Sequence, residues 1–105
     1  MRVVTTTIMK DESAEFVERW AYSALDSDER VLVDTGTTQT EGLTCARDLG
    51  VTVHEISVQP WRFDDARNAA MSLLPECDVV ITLDVDEILM PGWRASLESE
   101  PAGRR

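Results

Sequence analysis

At 105 residues the chain has room for one domain with a modest core. With 43% hydrophobic and 29% charged residues, its balance is globular, not disordered. The net charge is −10, and no stretch gathers basic residues beyond Arg104-Arg105, which argues against nucleic-acid binding by phosphate neutralisation. An acidic chain that binds a phosphate-bearing ligand needs a cation to bridge the two.

The first strand is expected at Val3 to Met9, a run rich in β-branched residues. Residues 1–9 lack a signal-peptide core and no apolar run reaches membrane-spanning length, so a cytoplasmic protein without a membrane span is the default expectation. Asp11 or Ser13 caps the helix that follows, whose apolar face is Phe16, Val17, Trp20, Ala21, Ala24 and Leu25. Asp26-Ser27-Asp28 reads as its solvated exit. Residues 30–34 form a second apolar strand that ends in an acid, Asp34, with Gly36 in the turn beyond it. A helix over 40–49 buries Leu43, Ala46 and Leu49, and Gly50 stops it.

Residues 51–58 alternate as a half-exposed third strand. His54, the sole histidine, reads there as a surface residue and not a base. The cysteines, Cys45 and Cys77, have no metal-type spacing and read as reduced, small core residues. After Gln59-Pro60-Trp61, a third helix opened by Asp64 or Asp65 presents Ala66, Ala69, Ala70, Leu73 and Leu74 for close packing on a sheet.

The stretch 78–89 ends the pattern with its strongest signal. An apolar run, Val79-Val80-Ile81-Thr82-Leu83, suits a strand buried on both faces, and three acids follow within four positions. Bare carboxylates do not stay in a core, so they lie at the strand's carboxyl end. On an extended backbone Asp84 and Asp86 point the same way and supply two hard oxygen donors, half of a site for Mg²⁺ or Mn²⁺. A short helix carrying Trp93 and Leu97 follows, and 99–105 is expected to fray.

Strands alternating with helices predict an α/β fold, a Rossmann-like parallel sheet of order 3-2-1-4 flanked by helices, in one domain over residues 1–98. Its strand order reverses between the first and fourth strands. Thr7, Asp34, Asp84 and Asp86 then surround one crevice at the carboxyl ends.

Three motifs carry a family resemblance. Val33-Asp34-Thr35-Gly36-Thr37-Thr38 resembles the VDTGST turn of family 2 glycosyltransferases with the GT-A fold. Trp61-Arg62-Phe63-Asp64-Asp65-Ala66-Arg67-Asn68 resembles that family's W-x-x-F-x-x-A-R-N segment, and Leu83-Asp84-Val85-Asp86-Glu87 its LDADE metal motif. The motifs stand in family order over nearly the whole chain, as the nucleotide-sugar-binding half of a truncated GT-A fold.

The resemblance implies transfer of a sugar from a nucleoside diphosphate donor, UDP-type favoured, to an acceptor hydroxyl. Asp34 and Thr7 would meet the nucleoside, Arg67 the phosphates, Asn68 the donor substrate, and Asp84 and Asp86 a divalent Mn²⁺ or Mg²⁺ on the diphosphate. The alternative is a non-catalytic nucleotide-sugar-binding module, since the family's general base has no counterpart here. Thr37-Thr38-Gln39-Thr40 also departs from the family's continuation by lacking its aspartate and glycine. A phosphotransfer protein is disfavoured, because the acid pair does not end the first strand. The 78–84 strand would lie at a sheet edge. It is expected to pair there with a second copy or a missing C-terminal half, or to be covered by Trp93 and Leu97.

Overall fold

A computed structural model describes residues 1–36, 40–60 and 62–99. The expectations for Thr37, Thr38 and Gln39, for Trp61, and for the tail from residue 100 onward lie outside the described residues.

The strands are β1 (Val3–Met9), β2 (Glu29–Asp34), β3 (Thr52–Glu55) and β4 (Val79–Thr82). The helices are α1 (Ala14–Ser23), α2 (Glu41–Asp48), α3 (Phe63–Ser72) and α4 (Trp93–Glu98). The sheet runs β3-β2-β1-β4 with every pairing parallel, as the alternation of strand and helix predicts.

β1 is central, which is why its Val-Val-Thr-Thr-Thr-Ile-Met sequence has no charge to expose. Successive side chains point to opposite faces. Val4 and Ile8, with Val31 and Val33 of β2, pack beneath Ala70 and Leu74 on the α3 side. Met9 and Leu32 pack on the other side with Val17, Trp20 and Ala21 of α1 and Leu43 and Ala46 of α2. Trp20 and Leu32 are wholly buried. Burial of a leucine-sized side chain stabilises by about 1.5–3 kcal/mol.

The helix ends are tied by named groups. Ser13 caps α1 by accepting from the Phe16 amide. Arg30, whose pKa burial lowers, donates through Nη1 to the Ala21 carbonyl at 2.8 Å and through Nη2 to the Leu49 carbonyl. One guanidinium thus serves the carboxyl ends of both helices on that face. Arg94 of α4 donates to the Met1 carbonyl at 2.7 Å, the Asp26 carbonyl at 3.0 Å and the Asp28 carboxylate at 3.1 Å. The Asp28 carboxyl is held below its ordinary pKa, chiefly by the Val3 amide and then, against a smaller desolvation, by Arg94.

Several expectations are corrected. Phe16 keeps the period of the α1 stripe yet is 38% exposed, and Leu25, 57% exposed, lies in the turn beyond the end of α1 at Ser23. β3 is shorter than 51–58. α3 begins at Phe63, with Asp64 and Asp65 in its first turn. β4 is half-buried along most of its length, not buried on both faces, because it stands at the sheet edge. Trp93 is tied to the carboxyl end of α1, its indole N–H donating to the Ser23 carbonyl at 3.1 Å.

Candidate functional site

Because all strands are parallel, their carboxyl ends share one rim. Met9 is opposite Asp34, and Thr6 is opposite Thr82. The Leu83 amide continues the second ladder with a 3.1 Å bond to the Thr6 carbonyl, which brings Asp84 to the level of Ile8. Asp34 and Asp84 are therefore separated by β1 alone, roughly 10 Å between backbones at about 4.8 Å per strand.

Asp34 is 1% exposed at the tip of β2. Its Oδ2 accepts from the Gly36 amide at 3.2 Å, which the positive φ of Gly36 permits. The Thr35 amide donates to the Met9 carbonyl at 3.0 Å and the Ile56 amide to the Asp34 carbonyl at 2.7 Å, so the tip is fixed from both sides. Thr7 lies deeper, opposite Leu32, with its hydroxyl buried and unpaired among the described residues. It sits below the rim, whereas Asp34 sits on it.

The acids after β4 occupy a turn and not an extended segment. The Glu87 amide donates to the Asp84 carbonyl at 2.9 Å, and Glu87 Oε1 accepts from the Asp84 amide at 2.8 Å. Glu87 thus shapes the turn. Val85 is buried in the α1–α2 core and pins the turn from below. Asp84 and Asp86 are left exposed, and both line a cleft of about 300 Å³ with Ile8, Glu12, Phe16 and Val85. Among the described residues, no group of three or more His, Cys, Asp or Glu is arranged to hold a metal. Of the three carboxylates that line the cleft, Asp84 and Asp86 are the pair on the acidic turn. That suits Mg²⁺ or Mn²⁺, which keep waters and take one or two carboxylates together with ligand phosphates.

Asp84 also borders a second cleft, of about 240 Å³, with Ile8, Phe63, Arg67, Thr82 and Leu83. Arg67 stands in the second turn of α3, since that helix starts at Phe63. It is exposed and makes no ion pair or hydrogen bond among the described residues, whereas Arg62 approaches Asp65 at 4.0 Å. Asn68, one residue on, is exposed and lines neither cleft.

Lys10 and Glu12 belong to none of the three motifs. Lys10 lines a cavity of about 330 Å³ with Thr35, Val58 and Gln59, beside the Asp34 tip. Between them Asp11 takes a left-handed φ of 53°. Their one legible signal is their place immediately past a strand end. A larger cavity, about 500 Å³, lies elsewhere, in the outer seam between α1 and α2 beside Glu18, Tyr22, Cys45 and Asp48. Burial and then the carboxylates of Glu18 and Asp48 push the Cys45 thiol pKa up, as befits an unreactive packing residue.

No protein-family model matches the sequence, and neither does any curated protein. Among solved structures the chain is similar to glucosyl-3-phosphoglycerate synthase from Mycobacterium tuberculosis, determined with Mn²⁺, UDP and glucosyl-3-phosphoglycerate. The TM-score is 0.60 at 20% identity, over 80% of this chain and 33% of that one. The fold is of truncated GT-A type. The chain spans about a third of that enzyme's length. Among the described residues no helix is long and apolar enough to cross a membrane.

Proposed function

We propose that the rim of β1, β2 and β4 binds a nucleoside diphosphate sugar, UDP-type, through a divalent cation, and serves transfer of its sugar to an acceptor hydroxyl. The observation that carries this reading is the position of Asp84. It is the shared wall of two clefts, one holding Asp86 and the other an arginine free of partners among the described residues. A diphosphate is the ligand that needs both: a cation on one side and a guanidinium able to grip two oxygens on the other. Asp34, with Thr7 below it, is assigned to the nucleoside, and Asn68 to the phosphate side next to Arg67. A bound cation would neutralise charge growing on the leaving diphosphate. The Mn²⁺ and UDP of the similar structure support the choice of ligand.

A non-catalytic binding module is the second reading, and it too has an observation behind it. Among the described residues the acids after Asp86 are Glu87 and Glu98. The first is bonded to the Asp84 amide and the second pairs with Arg94 at 3.2 Å. Neither is poised to deprotonate an acceptor.

Calorimetric titration with UDP, with and without Mn²⁺, tests the site. Binding is expected only with the cation. Asp86→Asn and Arg67→Ala are each expected to weaken it roughly tenfold to a hundredfold, the range for losing a charge-assisted contact. UDP binding indifferent to Mn²⁺ and to Asp86→Asn would overturn the assignment. Mn²⁺-dependent hydrolysis of a UDP-sugar separates the enzyme from the module.

A further inference from the structure

The rim divides at β1. On one side the acidic turn follows β4, and Arg67 shares a cleft with Thr82 and Asp84. On the other side a separate cleft gathers residues from beyond three strand ends: Lys10 after β1, Thr35 after β2, and Val58 and Gln59 after β3. At about 330 Å³ it stands at the small end of the range for ligand sites, which suits a single ring better than a whole nucleotide. The two ends of one nucleoside diphosphate, base and phosphates, thus have distinct places on either side of β1.

The polar groups beside the β2 tip differ in what they can still reach. Asp34 is 1% exposed, and its Oδ2 accepts from the Gly36 amide. The Thr35 hydroxyl is engaged, donating to the Met9 carbonyl at 3.2 Å. Lys10 and Gln59 are exposed, and their side chains make no hydrogen bond or ion pair among the described residues. The half-buried Val58 gives the cleft an apolar wall.

The chemistry of the two exposed side chains is selective. An ammonium only donates, whereas a carboxamide carries one acceptor and one donor group. Together they offer donor, acceptor and donor. The pairing edge of uracil is the complement, since O4 accepts, N3–H donates and O2 accepts. Cytosine keeps only O2 of these, because its N4 donates and its N3 accepts. Resting on the reading that the rim binds a nucleoside diphosphate, we propose that Lys10 and Gln59 select uracil. Lys10 donates to O4, and the Gln59 carboxamide accepts from N3–H and donates to O2, with Val58 against the ring. Asp34 stays beside the nucleoside, and discrimination between bases falls to the two exposed side chains.

UDP and CDP differ only at this edge, so calorimetric titration of both with Mn²⁺ isolates it. The unmodified chain is expected to favour UDP by roughly tenfold or more, the range for losing a hydrogen bond to a charged group. Lys10→Met keeps the side chain's length and removes its donors. It is expected to weaken UDP roughly threefold to thirtyfold and to leave CDP within about twofold. Lys10→Glu sets an acceptor against uracil O4 or cytosine N4 and is expected to invert the preference. Gln59→Leu should lower the ratio of UDP to CDP affinity as Lys10→Met does. Asp86→Asn, at the cation end, should weaken both nucleotides by one factor and keep their ratio. A ratio unchanged in Lys10→Met and Lys10→Glu overturns the inference even if both affinities fall, because a lysine on the phosphates acts on both nucleotides alike. Equal Mn²⁺-dependent binding of UDP and CDP by the unmodified chain also overturns it and leaves the cation-bridged diphosphate standing. Absence of any Mn²⁺-dependent nucleotide binding overturns both readings.

Discussion

At the scale of single residues, the proposed site gives Glu87 of the acidic turn a role without contact with the ligand. Glu87 accepts from the Asp84 amide, and that bond fixes the carbonyl and side chain of Asp84 relative to Asp86. Glu87→Ala is expected to lower Mn²⁺-dependent UDP affinity roughly threefold to tenfold, the range for one lost hydrogen bond. The unliganded melting temperature should hardly move, because Glu87 is exposed. Glu87→Gln keeps an acceptor oxygen and should stay within about twofold of the unmodified chain. Titration calorimetry of both variants separates a turn-shaping role from a charge that itself attracts the cation, since the latter predicts an equal loss in Gln and Ala. Asp34, Asp84 and Asp86 were legible because an acid that ends an apolar strand has nowhere to go but the rim. Lys10 and Glu12 were not, because a charged residue past a strand end looks like any loop until the residues sharing its cleft are known.

At the scale of elements, the contact between α1 and α2 depends on a residue that carries no side chain. A Cβ on Gly42 would stand 3.0 Å from the Glu12 carbonyl oxygen and 3.4 Å from Val17 Cγ2. Alanine would raise helix propensity by roughly 1 kcal/mol, but the close atom is backbone and cannot swing aside. Overpacking of this kind costs about 1–3 kcal/mol, so Gly42→Ala is expected to be neutral to about 2 kcal/mol destabilising. Urea unfolding measures this, and a clear gain in stability would show that α2 rides looser on α1 than its geometry indicates. The same element scale is where sequence reading did best and also erred. Strand and helix existence, order and the reversal at β1 and β4 follow from periodicity and from short crossovers. Solvent exposure does not. Phe16 keeps the period of a buried face yet borders the open cleft of the acidic turn, Leu25 falls past the end of α1, and Val79 to Ile81, which read as doubly buried, stand in an edge strand. Periodicity reports which face is apolar, not how wide the surface beneath it is.

At the scale of the whole molecule, the chain carries −10, and that self-repulsion opposes the compact state. What resists it is apolar packing and main-chain hydrogen bonding, which salt weakens little. The repulsion is long-range and strongly screened: raising the salt from about 0.1 M to about 1 M shortens the Debye length from about 10 Å to about 3 Å. The melting temperature of the unliganded chain is therefore expected to rise with sodium chloride, which thermal scans at the two concentrations check. A melting temperature that falls with salt would mean that ion pairs such as those of Arg94 with Asp28 and Glu98 stabilise more than the net repulsion destabilises.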